Sequence, residues 1–449
     1  MIFARKIEAD LLTWKANAHR KPLIIRGARQ VGKSTLIQQF SRHYKYFISL
    51  NLERPNDKRF FSKEREVAEI WQQLLFEHNL PDAPQDTLLF LDEIQELPHV
   101  IRQLRYFYED FPALHVIAAG SLLEFSLGDV RSFPVGRVEE LVLHPLDFEE
   151  FLIASGELSA LEQLRTIPLP SFAYEKLFSL FRQYLIIGGM PEVVKTYLKN
   201  PLELSRLRGV YASIWDAYKS DIVKYARNQT EANVLRHLIG AAPFVKDRVT
   251  FAGFGASNYR SREVGEAFRA LDQARIIYLI YPTTQTGLPQ LPDLTRRPRM
   301  QFLDTGLLNY ASNIQAELLS LEDLGDYHRG YVVQHGTAQE LIANPAQPGA
   351  RPLFWVKENA NANAEVDFTF SIGKWLVPIE VKSGSQGRLR SLHEFIDLCP
   401  HDLGVRLLAS GHTLEKLQTR KGKPFRLLNL PYFAVSQMGR WIDWALSQP

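Results

Sequence analysis

Leu23-Ile24-Ile25-Arg26-Gly27-Ala28-Arg29-Gln30-Val31-Gly32-Lys33-Ser34-Thr35 is the stretch whose reading decides the fold. Leu23 to Ile25 is a compact apolar run, and Leu36, Ile37 and Phe40 recur behind it at helical spacing. Gly27 to Ser34 fits G-x-x-x-x-G-K-[ST] in the strand-to-helix context that this motif requires. The glycines let successive backbone N–H groups curl around a phosphate, and the helix N-terminus adds partial positive charge. Lys33 brings a full charge to the β- and γ-phosphates, and Ser34 offers a hydroxyl to Mg²⁺. The expected nucleotide-binding residues are Gly27, Ala28, Arg29, Gln30, Val31, Gly32, Lys33, Ser34 and Thr35, with ATP and Mg²⁺ as ligands.

Strand and helix patterns alternate on the C-terminal side of this loop. Tyr46 to Leu52, Leu88 to Leu91 and Val116 to Ala119 read as strands. Val100, Leu104 and Phe107 mark a helix between the last two. Alternation with continuous apolar strands predicts a parallel α/β sheet. Leu88 to Leu91 runs straight into Asp92 and Glu93. Asp92 suits the Mg²⁺ shell and Glu93 suits a base for the attacking water.

The whole chain has 449 residues, enough for about three domains. Apolar residues make up 45% and charged residues 23%, which excludes general disorder. The net charge of +3 excludes a polycation but leaves room for a local basic groove. The one cysteine, Cys399, excludes a disulfide framework within the chain and a cysteine-cluster metal site. No apolar run reaches membrane-spanning length, and the start MIFARKIEADLL lacks a secretory core, so a soluble cytoplasmic protein with no membrane partner is expected.

Residues 146–228 turn helical, broken by Gly188-Gly189-Met190-Pro191, which reads as a structural turn. Residues 229–299 show helix, helix and strand in the order of a winged helix, with Val264, Ala267, Phe268 and Leu271 on one helical face. Arg260, Arg262, Arg269 and Arg275 suit phosphate contacts and Gln273 a base edge. Glu263, Glu266 and Asp272 offset the arginines, which equally suits a winged helix packed on its own protein. The Pro- and Arg-rich stretch 281–299 reads as a linker or wing loop.

Further on, Glu365-Val366-Asp367-Phe368 alternates as a strand, so Glu365 and Asp367 share a face. A turn at Gly373-Lys374 leads to a second strand carrying Glu380 and Lys382 on one face. On adjacent strands Asp367, Glu380 and Lys382 converge, a set that holds Mg²⁺ and orients a water against a phosphodiester. It resembles the D-x(n)-E-x-K arrangement of the restriction-endonuclease-like superfamily.

GARQVGKST, LFLDEIQ, AAGSLLEF and VGRVEELVLHPLDFEEFL resemble the AAA+-type P-loop ATPases of bacteria and archaea that carry a C-terminal domain of unknown function. FLDTGLL at 302–308, QELIA at 339–343 and EVDF with IEVKSG extend the resemblance. It implies a P-loop core over 1–145, a helical lid over 146–228, a winged-helix-like unit over 229–299 and a nuclease-like α/β domain over 300–449. It makes Ser121 a sensor of the γ-phosphate, where the plain reading is a strand-end cap. Arg137 becomes a γ-phosphate sensor or a finger reaching a neighbouring copy, where the plain reading is fold stability. Gln334 stands where the nuclease-like pattern places a helix glutamate; its amide brings no charge to Mg²⁺. Glu365 is the carboxylate left to compensate.

The expected function is Mg-ATP binding and hydrolysis coupled to a nuclease-like domain, with DNA and the chain's own copies as partners. The rival is a nucleotide switch whose nuclease-like domain is inert. A protein remodeller ranks last, because no aromatic-glycine pore loop stands in the expected place.

Overall fold

The computed structural model describes residues 2–62, 65–120, 136–200, 204–224, 226–245, 248–314, 326–347, 349–357, 364–382, 384 and 389–448. The chain divides into two compact units, Met1–His144 with Ala270–Ile276, and Pro145–Arg269 with Ile277–Pro449.

The first unit holds β1 (Leu23–Arg26), β2 (Tyr46–Asn51), β3 (Thr87–Asp92), β4 (His115–Gly120) and β5 (Glu139–Val142), paired in the order β2-β3-β4-β1-β5. Every pairing is parallel. β3 is buried from Thr87 to Leu91, and β4 is buried throughout, which is why both read as unbroken apolar runs. Pro98 opens the helix Pro98–Asp110, where its missing N–H costs nothing, and Val100, Ile101, Leu104 and Phe107 face the core. The helix Val67–His78 adds Ile70, Trp71 and Leu74 to the same core as Ile24, Ile48, Leu89 and Leu91. Each such fully buried side chain stabilises by roughly 1.5–3 kcal/mol relative to exposure. β5 carries Glu139-Glu140 and no apolar run; only its pairing with β1 makes it a strand.

β1 lies between β4 and β5, and its last residue Arg26 is level with Gly120 on one side and Val142 on the other. The chain leaving β1 therefore turns over the carboxyl ends of the strands, where open α/β sheets bind ligands.

The second unit opens with helices, among them Phe148–Ala154, Tyr174–Ile187, Pro191–Lys199 and Leu204–Lys224. The helix Gln229–Ala241 follows, and then the helix Ser261–Gln273 as far as Arg269, in which Val264, Ala267 and Phe268 are buried as their spacing requires. β6 (Ile277–Ile280) then pairs antiparallel with β8 (Arg299–Phe302). Between them β7 (Pro282–Thr283) pairs parallel with β9 (Leu353–Val356). The stretch expected as a linker is thus partly strand: Thr283 is fully buried, and its pairing lies too far along the chain for local pattern to show.

A seven-stranded mixed sheet runs β13-β14-β12-β11-β10-β9-β7, with β10 (Glu365–Ile372), β11 (Trp375–Val381), β12 (Leu403–Leu408), β13 (Thr413–Gln418) and β14 (Pro424–Pro431). β10 and β11 form the expected hairpin across Gly373, whose φ of 52° is a turn conformation that favours glycine. The helix Arg390–Leu398 covers the sheet with Leu392, Phe395 and Ile396, packed among Trp355, Val366, Leu376 and Leu427.

A buried polar knot ties the helical segment of this unit to its later part. Asp304 accepts from the N–H of Gly189 and, as N-cap of the helix Thr305–Ala311, from the N–H of Leu307 at 2.9 Å. Glu340 accepts from the N–H of Phe148 at 3.0 Å and from the Tyr184 hydroxyl at 2.7 Å. Gln339 accepts from the N–H of Thr305 at 2.8 Å and donates to the Tyr184 hydroxyl at 2.7 Å. No helix among the described residues is long and apolar enough to cross a membrane.

Candidate functional site

The phosphate loop bridges β1 and the helix Lys33–Phe40. Gly27 has φ 155°, and a Cβ there would sit 2.4 Å from the Leu143 carbonyl oxygen, so no larger residue fits. Gly32 is left-handed at φ 97° and forms the N-cap, with no side chain over the first turn. The N–H groups that a cap would use stay open to an anion. Val31 and Ala28 are buried and hold the loop down, whereas Gln30 and Thr35 are exposed.

Lys33 is buried, and its ammonium donates to the carbonyls of Gly27 and Ala28, each at 2.9 Å. Burial lowers its pKa to about 8, with Glu93 and Asp92 pulling the other way. The Ser34 hydroxyl donates to Asp92 Oδ2 at 2.6 Å, so the two oxygen donors expected around Mg²⁺ converge. Burial raises the Asp92 pKa, opposed by the Ser34 hydrogen bond. Glu93 follows at the end of β3 with φ 52° and ψ 46°, left-handed backbone that a non-glycine residue adopts at a cost. The Gln95 side chain donates to its carboxylate.

Two further expectations fell beside this site. Ser121 lies outside the described residues. Arg137 is half-exposed, pairs with Glu109 at 3.3 Å and lies over the Tyr108 ring at 6.0 Å.

Arg5 was not anticipated. It is buried, and its guanidinium donates to the Val31 carbonyl at 3.0 Å and to the His144 carbonyl at 2.6 Å. It therefore pins the back of the phosphate loop to the end of the unit. No spacing rule joins an arginine to a glycine loop 26 residues later.

The β10–β11 hairpin brings the second set together. Phe368 pairs with Ile379, so Asp367 and Glu380 stand one step beyond that pair on neighbouring strands. Directly opposed residues share a face with Cβ atoms about 5 Å apart. Asp367 accepts from the Val381 N–H at 2.9 Å through Oδ2 and from the Gln334 amide at 3.1 Å through Oδ1. Lys382 donates to Glu380 Oε1 at 2.5 Å. Glu380 Oε2 is buried without a partner among the described residues, and burial followed by Asp367 lifts its pKa to about 7.

Glu365 is on the same face but is taken up by arginines. Arg248 and Arg299 both donate to its carboxylate, and Arg299 also reaches the Asp367 carbonyl at 3.0 Å and Asp367 Oδ1 at 3.4 Å. Both guanidinium groups lie over the Phe354 ring. Arg299 ends the Pro- and Arg-rich stretch read as a linker or wing loop, and neither it nor Arg248 was among the expected site residues. Glu340, at the next helical carboxylate after Gln334, belongs to the polar knot.

Residues 19–152 match the model of a family described as an AAA domain. Residues 178–318 and 320–431 match two domains of unknown function, DUF8612 and DUF4143. A protein of Haemophilus influenzae described as uncharacterized is 27% identical over 196 residues, which are 42% of this chain and 44% of that one. The match thus spans less than half of that relative. A Walker-type ATPase of Pyrococcus abyssi covers 69% of this chain and 96% of its own, at 14% identity and a TM-score of 0.44. A signal-transduction ATPase with a tetratricopeptide repeat sensor, from Pyrococcus horikoshii, covers 76% of this chain and 45% of its own, at 10% identity and a TM-score of 0.27.

The N-terminal unit is thus similar to AAA domains, and the match spans the phosphate loop and all five strands β1 to β5.

Proposed function

We propose that this protein binds and hydrolyses Mg-ATP in its first unit. The observation that carries the reading is the convergence of Lys33, Ser34, Asp92 and Glu93 at the carboxyl ends of β1 and β3. The loop N–H groups and the helix N-terminus take the β-phosphate, and Lys33 exchanges its two carbonyl partners for phosphate oxygens. Ser34 and Asp92 would hold Mg²⁺, which when bound neutralises charge on the phosphates. The Glu93 carboxylate orients the attacking water and takes its proton. Arg5 holds the loop in shape, and Ser121 and Arg137 are proposed to sense the γ-phosphate.

The test is turnover together with nucleotide binding. Lys33→Ala should lose binding. Glu93→Gln should keep ATP and stop hydrolysis. Equal turnover in Glu93→Gln and wild type would remove Glu93 as the base.

We infer further that residues 229–299 act as a winged-helix-like unit and that β10 and β11 belong to a nuclease-like domain, so that hydrolysis serves DNA binding or processing. One observation favours the second reading, a nucleotide switch with an inert nuclease-like domain: the carboxylates of this domain already hold protein cations. Labelled DNA incubated with Mg²⁺ or Mn²⁺, with and without ATP, separates the two. Cleavage lost in Asp367→Ala carries the first; intact DNA, with ATP turnover indifferent to it, carries the second.

A further inference from the structure

The nuclease-like layout implies a divalent cation, and the donors present do not fit one. Three carboxylates, Glu365, Asp367 and Glu380, meet three fixed cations, Arg248, Arg299 and Lys382. A Mg²⁺ centre needs surplus negative charge and several free oxygen ligands. Here the charges already balance, so a divalent ion would arrive with nothing to neutralise it in a half-buried place.

The oxygens say the same. Both oxygens of Asp367 hold protein donors, Val381 N–H on one and the Gln334 amide with Arg299 on the other. Glu365 holds two guanidinium groups. Glu380 Oε2 is the one carboxylate oxygen of the set that lacks a partner among the described residues, and a single oxygen does not make a site. Among the described residues no group of three His, Cys, Asp or Glu side chains is placed to hold a metal.

We propose that Arg299 stands in the cation's place, closing the centre to divalent metal. Its planar fork spans Glu365 and the main chain and side chain of Asp367, which a lysine cannot do. Its stem is held by β8, paired to β6, and its guanidinium lies 4.6 Å from the Phe354 ring centre, so it is built in and does not drift there from the surface. Gln334 completes the exchange: an amide donor points at Asp367 Oδ1, on the side where a glutamate would have faced a metal. The inference rests on the nuclease-like reading of β10 and β11 and is independent of the ATPase assignment.

The experiment counts Mn²⁺ bound to the nucleotide-free full chain, by the loss of the free-ion electron paramagnetic resonance signal. Wild type and Asp367→Asn should bind the same number of ions. Arg299→Met should bind one more, and Arg299→Met with Asp367→Asn should lose it again. An ion lost from wild type on Asp367→Asn overturns the proposal, as does an Arg299→Met protein that gains none. If Arg299→Met no longer melts cooperatively, Arg299→Gln takes its place: it removes the same charge with a polar side chain and should gain the same ion, and no gain overturns the proposal. Lys33→Ala, which tests the ATPase, leaves the Asp367-dependent count unchanged, so the two readings fail separately.

Discussion

Lys33 carries the first pH signature. Burial lowers its pKa to about 8, while phosphate oxygens favour the charged form. Below pH 8 the ammonium is ready for ATP. Above it binding must take up a proton, so affinity falls by up to about tenfold per pH unit. Nucleotide affinity measured from pH 7 to 9.5 should bend downward near 8; a flat profile would mean the lysine stays charged throughout. Glu93 makes a second point. Its left-handed backbone is strained at a position that a helix or strand propensity would never choose. Glu93→Gly should raise the unfolding free energy by up to about 1 kcal/mol, read from the denaturant midpoint, while abolishing turnover. Arg5→Ala should weaken nucleotide binding about tenfold, or ~1.4 kcal/mol, without altering any group that touches phosphate. Glycine loop, lysine and carboxylates were legible in the sequence because the motif is local. Arg5, Arg248 and Arg299 were not, since each acts through partners far away in the chain.

Helix ends and turns are where the second unit is most sensitive. The helix Thr305–Ala311 starts on Asp304, and Gly306 lies against Ile187, where a Cβ would sit 2.0 Å from a carbonyl oxygen. Gly306→Ala should therefore destabilise by about 3 kcal/mol or more, read as a drop in the melting midpoint. Asp304 is fully buried, and burial raises its pKa from 3.8 to about 6 against three backbone hydrogen bonds that lower it. The folded pKa exceeds the unfolded one, so this group favours the folded state below about pH 4 and loses that contribution as pH climbs through 6. Stability should fall by roughly 1–3 kcal/mol over that window, and Asp304→Asn should flatten it, with the denaturant midpoint as the measurement. The strands β3, β4, β10 and β11 were readable because their apolar periods are continuous or alternate. β5 and β7 were not. One is acidic at its start and the other has two residues, and only pairing with β1 and β9 defines them.

At the scale of the molecule, the AAA match accounts for residues 19–152, and two matches to domains of unknown function lie beyond it. With Arg299 in the carboxylate set, the full chain should leave labelled duplex DNA intact in Mg²⁺ or Mn²⁺ whether or not ATP is present. Cleavage that depends on Asp367 would return the domain to the nucleases. A net charge of +3 does not bear on this, because the sign that matters is local: three cations set against three carboxylates on one sheet face.

The sequence by itself determined the phosphate loop, the acidic end of the third strand and the hairpin that places Asp367 beside Glu380. Those features are short-range: a motif, an apolar run and a two-residue alternation carry them whatever the rest of the chain does. Tertiary structure alone decided what surrounds each one. It set Arg5 behind the loop, Asp304 beneath Gly189, and Arg299 between Glu365 and Asp367. Cations and carboxylates can reach one another from any distance along the chain, and only folding selects which pairs meet. The same carboxylates therefore read as a metal site in the sequence and as a set already matched by arginine in the fold.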